Sequence, residues 1–214
     1  MFYHYELSKN LRLGDVVKGY LFADVIINEP ILAYPSIGNN YKIEIEVPRY
    51  SAVLTPCCSI ENSVICVAPL IKVLKDFFKN PYFAEDLTRI NKALLPNQMM
   101  SEEDWRELST ERQVEILSSP RNYTLLEYFV YGENDLFEKY PLRGREISYY
   151  MIDFKNIQKI RCSRIKRATD GKPCDELILQ SKVLELSAEV RSDLREKIAH
   201  FYSRAPKEDT ELED

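Results

Sequence analysis

The residues best suited to chemistry lie in the stretch 48–70, PRYSAVLTPCCSIENSVICVAPL. Two short apolar runs, residues 51–55 and 63–68, flank a polar connection, which is typical of strands buried on both faces with a loop between them. The connection and its flanks carry most of the reactive side chains of this part of the chain. These are Arg49, Thr55, Cys57, Cys58 and Ser59.

Arg49 is the strongest candidate among these residues. It comes directly after Pro48, which ends a predicted extended strand. An arginine in that place can bind a phosphate bidentately and stabilise charge that develops on it. A surface ion pair with Glu44, Glu46 or Glu61 is the alternative, and it is favoured on residue type alone.

The sequence offers few metal ligands and few bases that could activate a catalytic cysteine. Cys57 and Cys58 are adjacent, whereas zinc sites use spacings such as C-x-x-C. The chain has two histidines, His4 and His200, and a catalytic thiol needs such a base nearby to become a thiolate. No glycine-rich loop for phosphates occurs. We therefore expect no metal site, no cofactor and no nucleotide hydrolysis.

A cluster of positive charge lies near the C-terminal third of the chain, interleaved with isoleucines. Alternate residues there could form one basic stripe that contacts RNA phosphates or a protein partner. A strand edge protected by lysine and arginine explains the same pattern equally well. The candidate binding residues are Lys155, Lys159, Arg161, Arg164, Lys166 and Arg167.

The elements that must position these side chains change in character along the chain. Residues 13–21, 41–47, 121–131 and 146–154 read as strands, and 41–47 (YKIEIEV) alternates strictly, which predicts a half-buried strand. Residues 70–120 have helical spacing. Residue 187 caps a final helix over 188–203, and the acidic segment 205–214 is expected to be disordered.

Composition bounds the class of protein. The chain has 214 residues and a net charge of −5, which fits a single domain over 1–214 and argues against indiscriminate nucleic-acid binding. It has no apolar run of roughly 20 residues that could span a bilayer, and its N-terminus does not read as a secretory signal. We expect a cytoplasmic protein that does not bind membranes.

The order of several segments resembles the MazF/PemK family of small toxin endoribonucleases. They are residues 14–17 (GDVV), 49–55 (RYSAVLT), 64–69 (VICVAP), 153–161 (DFKNIQKIR) and the final helix. The resemblance implies an SH3-like barrel in which an arginine at the position of Arg49 and a hydroxyl after the P-[IL] step cleave RNA. It also suggests a homodimer, with residues 70–120 as a helical insertion that the small toxins lack.

The sequence departs from this family where the hydroxyl is needed. Ile71 follows Pro69-Leu70 and cannot donate or accept a hydrogen bond through its side chain. The glutamates of residues 41–48 (YKIEIEVP) replace a glycine-rich segment and would repel RNA. Thr55 or Ser59 could substitute for the missing hydroxyl, so the candidate catalytic residues are Arg49, Thr55 and Ser59.

We therefore predict an α+β fold, an SH3-like curved antiparallel β-barrel with a helical insertion and a C-terminal helix. The expected function is non-catalytic binding of RNA or a protein partner in a prokaryotic stress or defence setting. A metal-independent endoribonuclease toxin that uses Arg49 is one alternative. A structural or regulatory subunit of a larger assembly is the other.

Overall fold

The computed structural model describes residues 1–18, 22–27, 41–56, 64–100, 102–161 and 178–203. These residues form a mixed α+β structure with several antiparallel sheets and five α-helices, which confirms the predicted α+β class. The strands are β1 (Val16–Val17), β2 (Phe22–Ile27), β3 (Tyr41–Glu46), β4 (Ser51–Val53), β5 (Val64–Pro69), β6 (Ile71–Lys72), β7 (Ala93–Leu94), β8 (Asn122–Tyr123), β9 (Tyr128–Tyr131), β10 (Tyr140–Leu142), β11 (Arg145–Ile147), β12 (Tyr150–Asp153), β13 (Gln158–Arg161) and β14 (Lys182–Leu184). The helices are α1 (Pro81–Glu85), α2 (Pro96–Met99), α3 (Glu102–Glu107), α4 (Thr110–Leu117) and α5 (Ala188–Ser203), with 3-10 helices at Lys75–Lys79 and Leu87–Asn91.

The central sheet has five strands in the order β13-β5-β4-β1-β14, and every pairing in it is antiparallel. Its residues alternate between two cores. Val16, Ala52 and Ala68 pack into the larger core, whereas Val53 and Val67 pack into a second core on the other face. The sequence prediction that the strands in 51–55 and 63–68 are buried on both faces is confirmed for the described residues.

Residues 70–120 contain α1 to α4 and both 3-10 helices. The first part of this segment builds a third core from Val73, Phe77, Phe83 and Leu87, among others. That core packs against strands β9 and β12 through Val130 and Met151. The segment is thereby held against the three-stranded sheet β6-β12-β9.

The predicted half-burial of residues 41–47 is wrong. The alternation is real, but β3 pairs with β2 in a two-stranded sheet, and Ile43 and Ile45 are 55% and 60% exposed. More than half of each of these two side chains is therefore open to solvent. Periodicity gives the faces of a strand, and it cannot say which face is covered.

Two further strand predictions need revision. The structure divides 121–131 into β8 and β9, and it divides 146–154 between β11 and β12. The predicted final helix is confirmed as α5, where Val190, Leu194 and Phe201 are buried.

The described strands form separate sheets of five, three and two strands, and no closed barrel is present among them. The mixed architecture is thus established, and the finer SH3-like class is not. The predicted acidic tail, 205–214, lies outside the described residues.

Candidate phosphate-binding site at the Arg49 end of the sheet

Arg49 lies where β5 leaves the central sheet. Strands β4 and β5 pair with Ser51 opposite Pro69, and the Leu70 N–H donates to the Tyr50 carbonyl at 2.9 Å. This register continues so that Arg49 and Ile71 lie at the same end of the sheet. The structure therefore brings an arginine next to the residue after the P-L step, and that residue carries no hydroxyl.

The Arg49 side chain forms an ion pair with a glutamate from a distant part of the chain. Its Nη1 atom donates to Glu138 Oε2 at 2.7 Å, and the two side chains are 60% and 49% exposed. The pair raises the pKa of Arg49, so the guanidinium is charged at every physiological pH. Solvent screens exposed pairs of this kind, so they contribute little to stability, and an anionic ligand can displace one.

Two lysines join Arg49 at this end of the sheet. The Lys18 ammonium lies 5.7 Å and the Arg49 guanidinium 5.9 Å from the centroid of the same Tyr50 ring. The Lys72 ammonium lies 5.1 Å from the Tyr140 centroid. All three cationic side chains are exposed. Cations at such distances from a ring are attracted by its electrons.

The rings under these cations form a buried aromatic cluster. The Tyr50 ring contacts Tyr150 edge-on at 5.4 Å, and Tyr150 contacts Tyr140 in the same way at 5.7 Å. The hydroxyls of Tyr50 and Tyr150 donate to the carbonyls of Leu136 and Glu138. Burial raises the pKa of Tyr150 to about 12, so this phenol stays protonated near neutral pH and cannot serve there as a general base.

The structure separates Thr55 from Arg49. The extended residues 50–54 lie between them, about 20 Å at roughly 3.3 Å per residue, since the Leu54 N–H also bonds to the Cys66 carbonyl. Thr55 is buried, and its Oγ1 accepts a hydrogen bond from the Cys66 N–H at 2.6 Å. Thr55 therefore has a structural role. Ser59, Cys57 and Cys58 lie outside the described residues.

The basic stripe is described at its first three positions. Lys155 lies 3.9 Å from Glu127, and Lys159 is exposed on β13, an edge strand of the five-stranded sheet. Arg161 closes that strand. The remaining members of the stripe, Arg164, Lys166 and Arg167, lie outside the described residues.

Sequence reasoning missed Lys18 and Lys72 because each is an isolated cation. Each directly follows a short apolar run, VV before Lys18 and PLI before Lys72. The antiparallel pairing of Val17 with Ser51 and of Lys72 with Tyr150 brings them to the aromatic cluster beside Arg49. A rule that collects the first cation after each buried strand would have found them.

A second cluster of charged side chains, Asp15, Lys182 and Glu185, is buried inside the protein. The Lys182 ammonium lies 2.7 Å from Asp15 Oδ2 and 2.7 Å from Glu185 Oε2, and all three side chains are buried. Burial raises the pKa of Asp15 to about 6 although Lys182 opposes the rise. Burial also raises the pKa of Glu185, but hydrogen bonds from Lys182 and Ser8 outweigh it and bring the pKa down to about 2. The cluster joins the N-terminal segment to β14 and has a structural role.

Other features bear on cofactors and membranes. Within the described ranges, no group of three His, Cys, Asp or Glu side chains is arranged to hold a metal ion. No helix in the same ranges has the length and apolar character to cross a bilayer. The chain matches no family model, no curated protein and no solved structure.

Proposed function

We propose that this protein is a non-catalytic, MazF/PemK-like barrel protein that binds RNA through Lys18, Arg49 and Lys72. The observation that supports it is that these three exposed cations lie over rings of one aromatic cluster, Lys18 and Arg49 over Tyr50 and Lys72 over Tyr140, with Tyr150 between the two rings. Three cations at one edge suit a run of backbone phosphates. An RNA ligand agrees with a cytoplasmic location and with a stress or defence setting, both of which are part of the proposal.

The same site argues for binding to the backbone. The rings of Tyr50, Tyr140 and Tyr150 are buried, so their faces are closed to stacking with bases. The cations reach outward and contact phosphate, which carries no sequence information. We therefore expect affinity for single-stranded RNA that depends little on sequence and strongly on salt.

Cleavage is disfavoured by the surroundings of Arg49. Ile71 supplies no hydroxyl, Thr55 is buried at the other end of β4, and the Tyr50 and Tyr150 hydroxyls are engaged with carbonyls. General acid–base catalysis needs a side chain within hydrogen-bond reach of the reacting group. Among the described residues, the endoribonuclease alternative therefore has an arginine held in an ion pair with Glu138 and no hydroxyl beside it that is free to act.

The test compares two triple variants that lose the same charge. The site variant carries Lys18→Gln, Arg49→Gln and Lys72→Gln, and the control carries Lys9→Gln, Lys92→Gln and Arg112→Gln. Fluorescence anisotropy with labelled single-stranded RNA should show wild-type binding that the site variant weakens by about tenfold or more. The control variant should bind within about twofold of wild type, since its charges lie elsewhere.

Three outcomes would count against the proposal. An equal loss of RNA affinity in both triple variants would show that RNA is attracted non-specifically by charge. Loss in a variant with Lys155→Gln, Lys159→Gln and Arg161→Gln, with the site variant unaffected, would move the interface to the basic stripe. RNA cleavage by wild type in a chelator, abolished by Arg49→Ala, would favour the endoribonuclease alternative.

A further inference from the structure

A cleft of about 440 Å³ opens between the β10–β11 hairpin and the segment that carries α1. Its apolar walls come from Phe78, Leu142, Ile147 and Tyr149. The volume lies in the range of sites that bind small molecules, roughly 300–1,000 Å³. No residue of the proposed RNA site lines it.

One side of the cleft carries two arginines on the hairpin. Arg143 occupies the tip with φ at 50°, and Gly144 follows with φ at 74°. This two-residue turn requires positive φ at both positions, which glycine and asparagine adopt more easily than arginine. The Arg143 guanidinium is held at the cleft by a hydrogen bond to the Phe78 carbonyl at 2.9 Å.

Arg145 provides a second cation at the cleft. It lies on β11 and lines the cleft, and its guanidinium makes no hydrogen bond or ion pair with any residue in the described ranges. Arg143 and Arg145 both line the cleft, which gives it two positive charges. Two guanidinium groups suit the two oxygens of a carboxylate.

Carboxylates and a tyrosine hydroxyl also line the cleft. Glu133 accepts a hydrogen bond from the Ser148 N–H through Oε1 at 3.1 Å, which leaves Oε2 for a ligand. Burial raises the pKa of Tyr149 to about 12, so its hydroxyl remains a donor. Glu85 lines the cleft from α1 and pairs with Arg89 at 2.5 Å. The cleft thus offers two cations, the carboxylates of Glu85, Glu133 and Glu146, and apolar walls within one cavity.

We propose that this cleft binds a small zwitterion with an apolar body, the chemistry of an apolar dipeptide. The ligand carboxylate contacts Arg143 and Arg145, its ammonium contacts Glu133, and its side chains pack on Phe78, Leu142 and Ile147. Charges of both signs around the cavity favour a ligand that also carries both. This site is independent of the RNA site.

Isothermal titration with the dipeptide Leu-Phe, its N-acetyl form and its C-terminal amide tests the proposal. Leu-Phe should bind, and blocking either end should weaken binding about tenfold, as expected for a lost charged hydrogen bond. Arg145→Gln should reproduce the loss seen with the amide, and Glu133→Gln the loss seen with the N-acetyl form. Arg121→Gln, an exposed arginine outside the cleft, is the matched control and should leave binding unchanged.

Arg143→Asn separates ligand binding from folding. Asparagine fits the turn better than arginine, so the variant should melt at a higher temperature than wild type and bind Leu-Phe more weakly. Absence of Leu-Phe binding up to about 5 mM, or binding that Arg145→Gln leaves unchanged, would overturn the proposal. RNA binding by the same variants should equal that of wild type, so failure here and failure of the RNA proposal are distinguishable.

Discussion

Arg49 is a charged side chain held by a weak contact at an exposed position. Its partner Glu138 is 49% exposed, and solvent screens the attraction between them. In the proposed function, an RNA phosphate would compete with Glu138 for the same guanidinium. The residue is thus poised between the two roles that the sequence left open, an ion pair and a phosphate contact.

Removing the competing carboxylate should strengthen RNA binding. We expect Glu138→Gln to raise the affinity roughly two- to fivefold, the range set by the free energy of an exposed ion pair. Anisotropy titrations against Glu103→Gln, an exposed glutamate on α3, check this. Equal effects of the two variants would show that net charge alone is at work.

Lys197 is a buried charged residue that lowers the stability of the fold. It is fully buried on α5, and its ammonium donates to the Ile90 carbonyl at 2.6 Å. Burial lowers its pKa from 10.5 to about 7. Between these values the unfolded chain binds more protons than the folded protein, so stability from this group rises with pH.

Lys197→Met should therefore stabilise the protein most below about pH 7, where wild type buries a full charge. The gain in the free energy of unfolding should shrink as the pH rises towards about 10. Urea denaturation at several pH values measures it, with Arg195→Met, an exposed position on the same helix, as the control. A gain that stays constant with pH would contradict this account of Lys197.

At the scale of elements, single ionic contacts join parts of the chain that are distant in sequence. Lys182 on β14 holds Asp15, which precedes β1, and Glu185, which follows β14. The GDVV segment that resembles a toxin motif thus contains a carboxylate with a structural partner. Spacing alone gave no sign of that partner, because Lys182 lies 167 residues beyond Asp15 in the chain.

Lys182→Met should destabilise the fold strongly. It leaves two buried carboxylates close together without their shared cation, which costs roughly 3–5 kcal/mol for a broken buried pair. Thermal denaturation should show a clear drop in Tm, whereas Lys159→Met on the exposed edge strand should change Tm little. A variant as stable as wild type would mean that Arg191 and Arg12 compensate fully.

The ribbon of β2 and β3 shows how far periodicity carries a prediction. The sequence identified the apolar face of 41–47 correctly, and the structure leaves Ile43 and Ile45 on that face exposed. By contrast, the runs in 51–55 and 63–68 are apolar at nearly every position, which requires burial on both faces. That prediction holds because it did not depend on knowing a neighbouring element.

At the scale of the molecule, the α+β class, the buried strands and the C-terminal helix could be read from the sequence. The candidate site could be read in part, since Arg49 was identified and its neighbours Lys18 and Lys72 were not. Those two lysines reach the site through antiparallel pairing between distant segments. Long-range pairing of this kind leaves no local signal in a single sequence.

Because the net charge is −5, the proposed RNA ligand would be attracted by the local arrangement of cations and repelled by the rest of the surface. The dependence of RNA affinity on salt therefore tests the central claim most directly. For single-stranded RNA, the slope of log K against log salt is about 0.7 per phosphate contact. The variant with Lys18→Gln, Arg49→Gln and Lys72→Gln should flatten the slope by about 2 relative to wild type. An unchanged slope in that variant would contradict the claim that these three cations contact the RNA backbone.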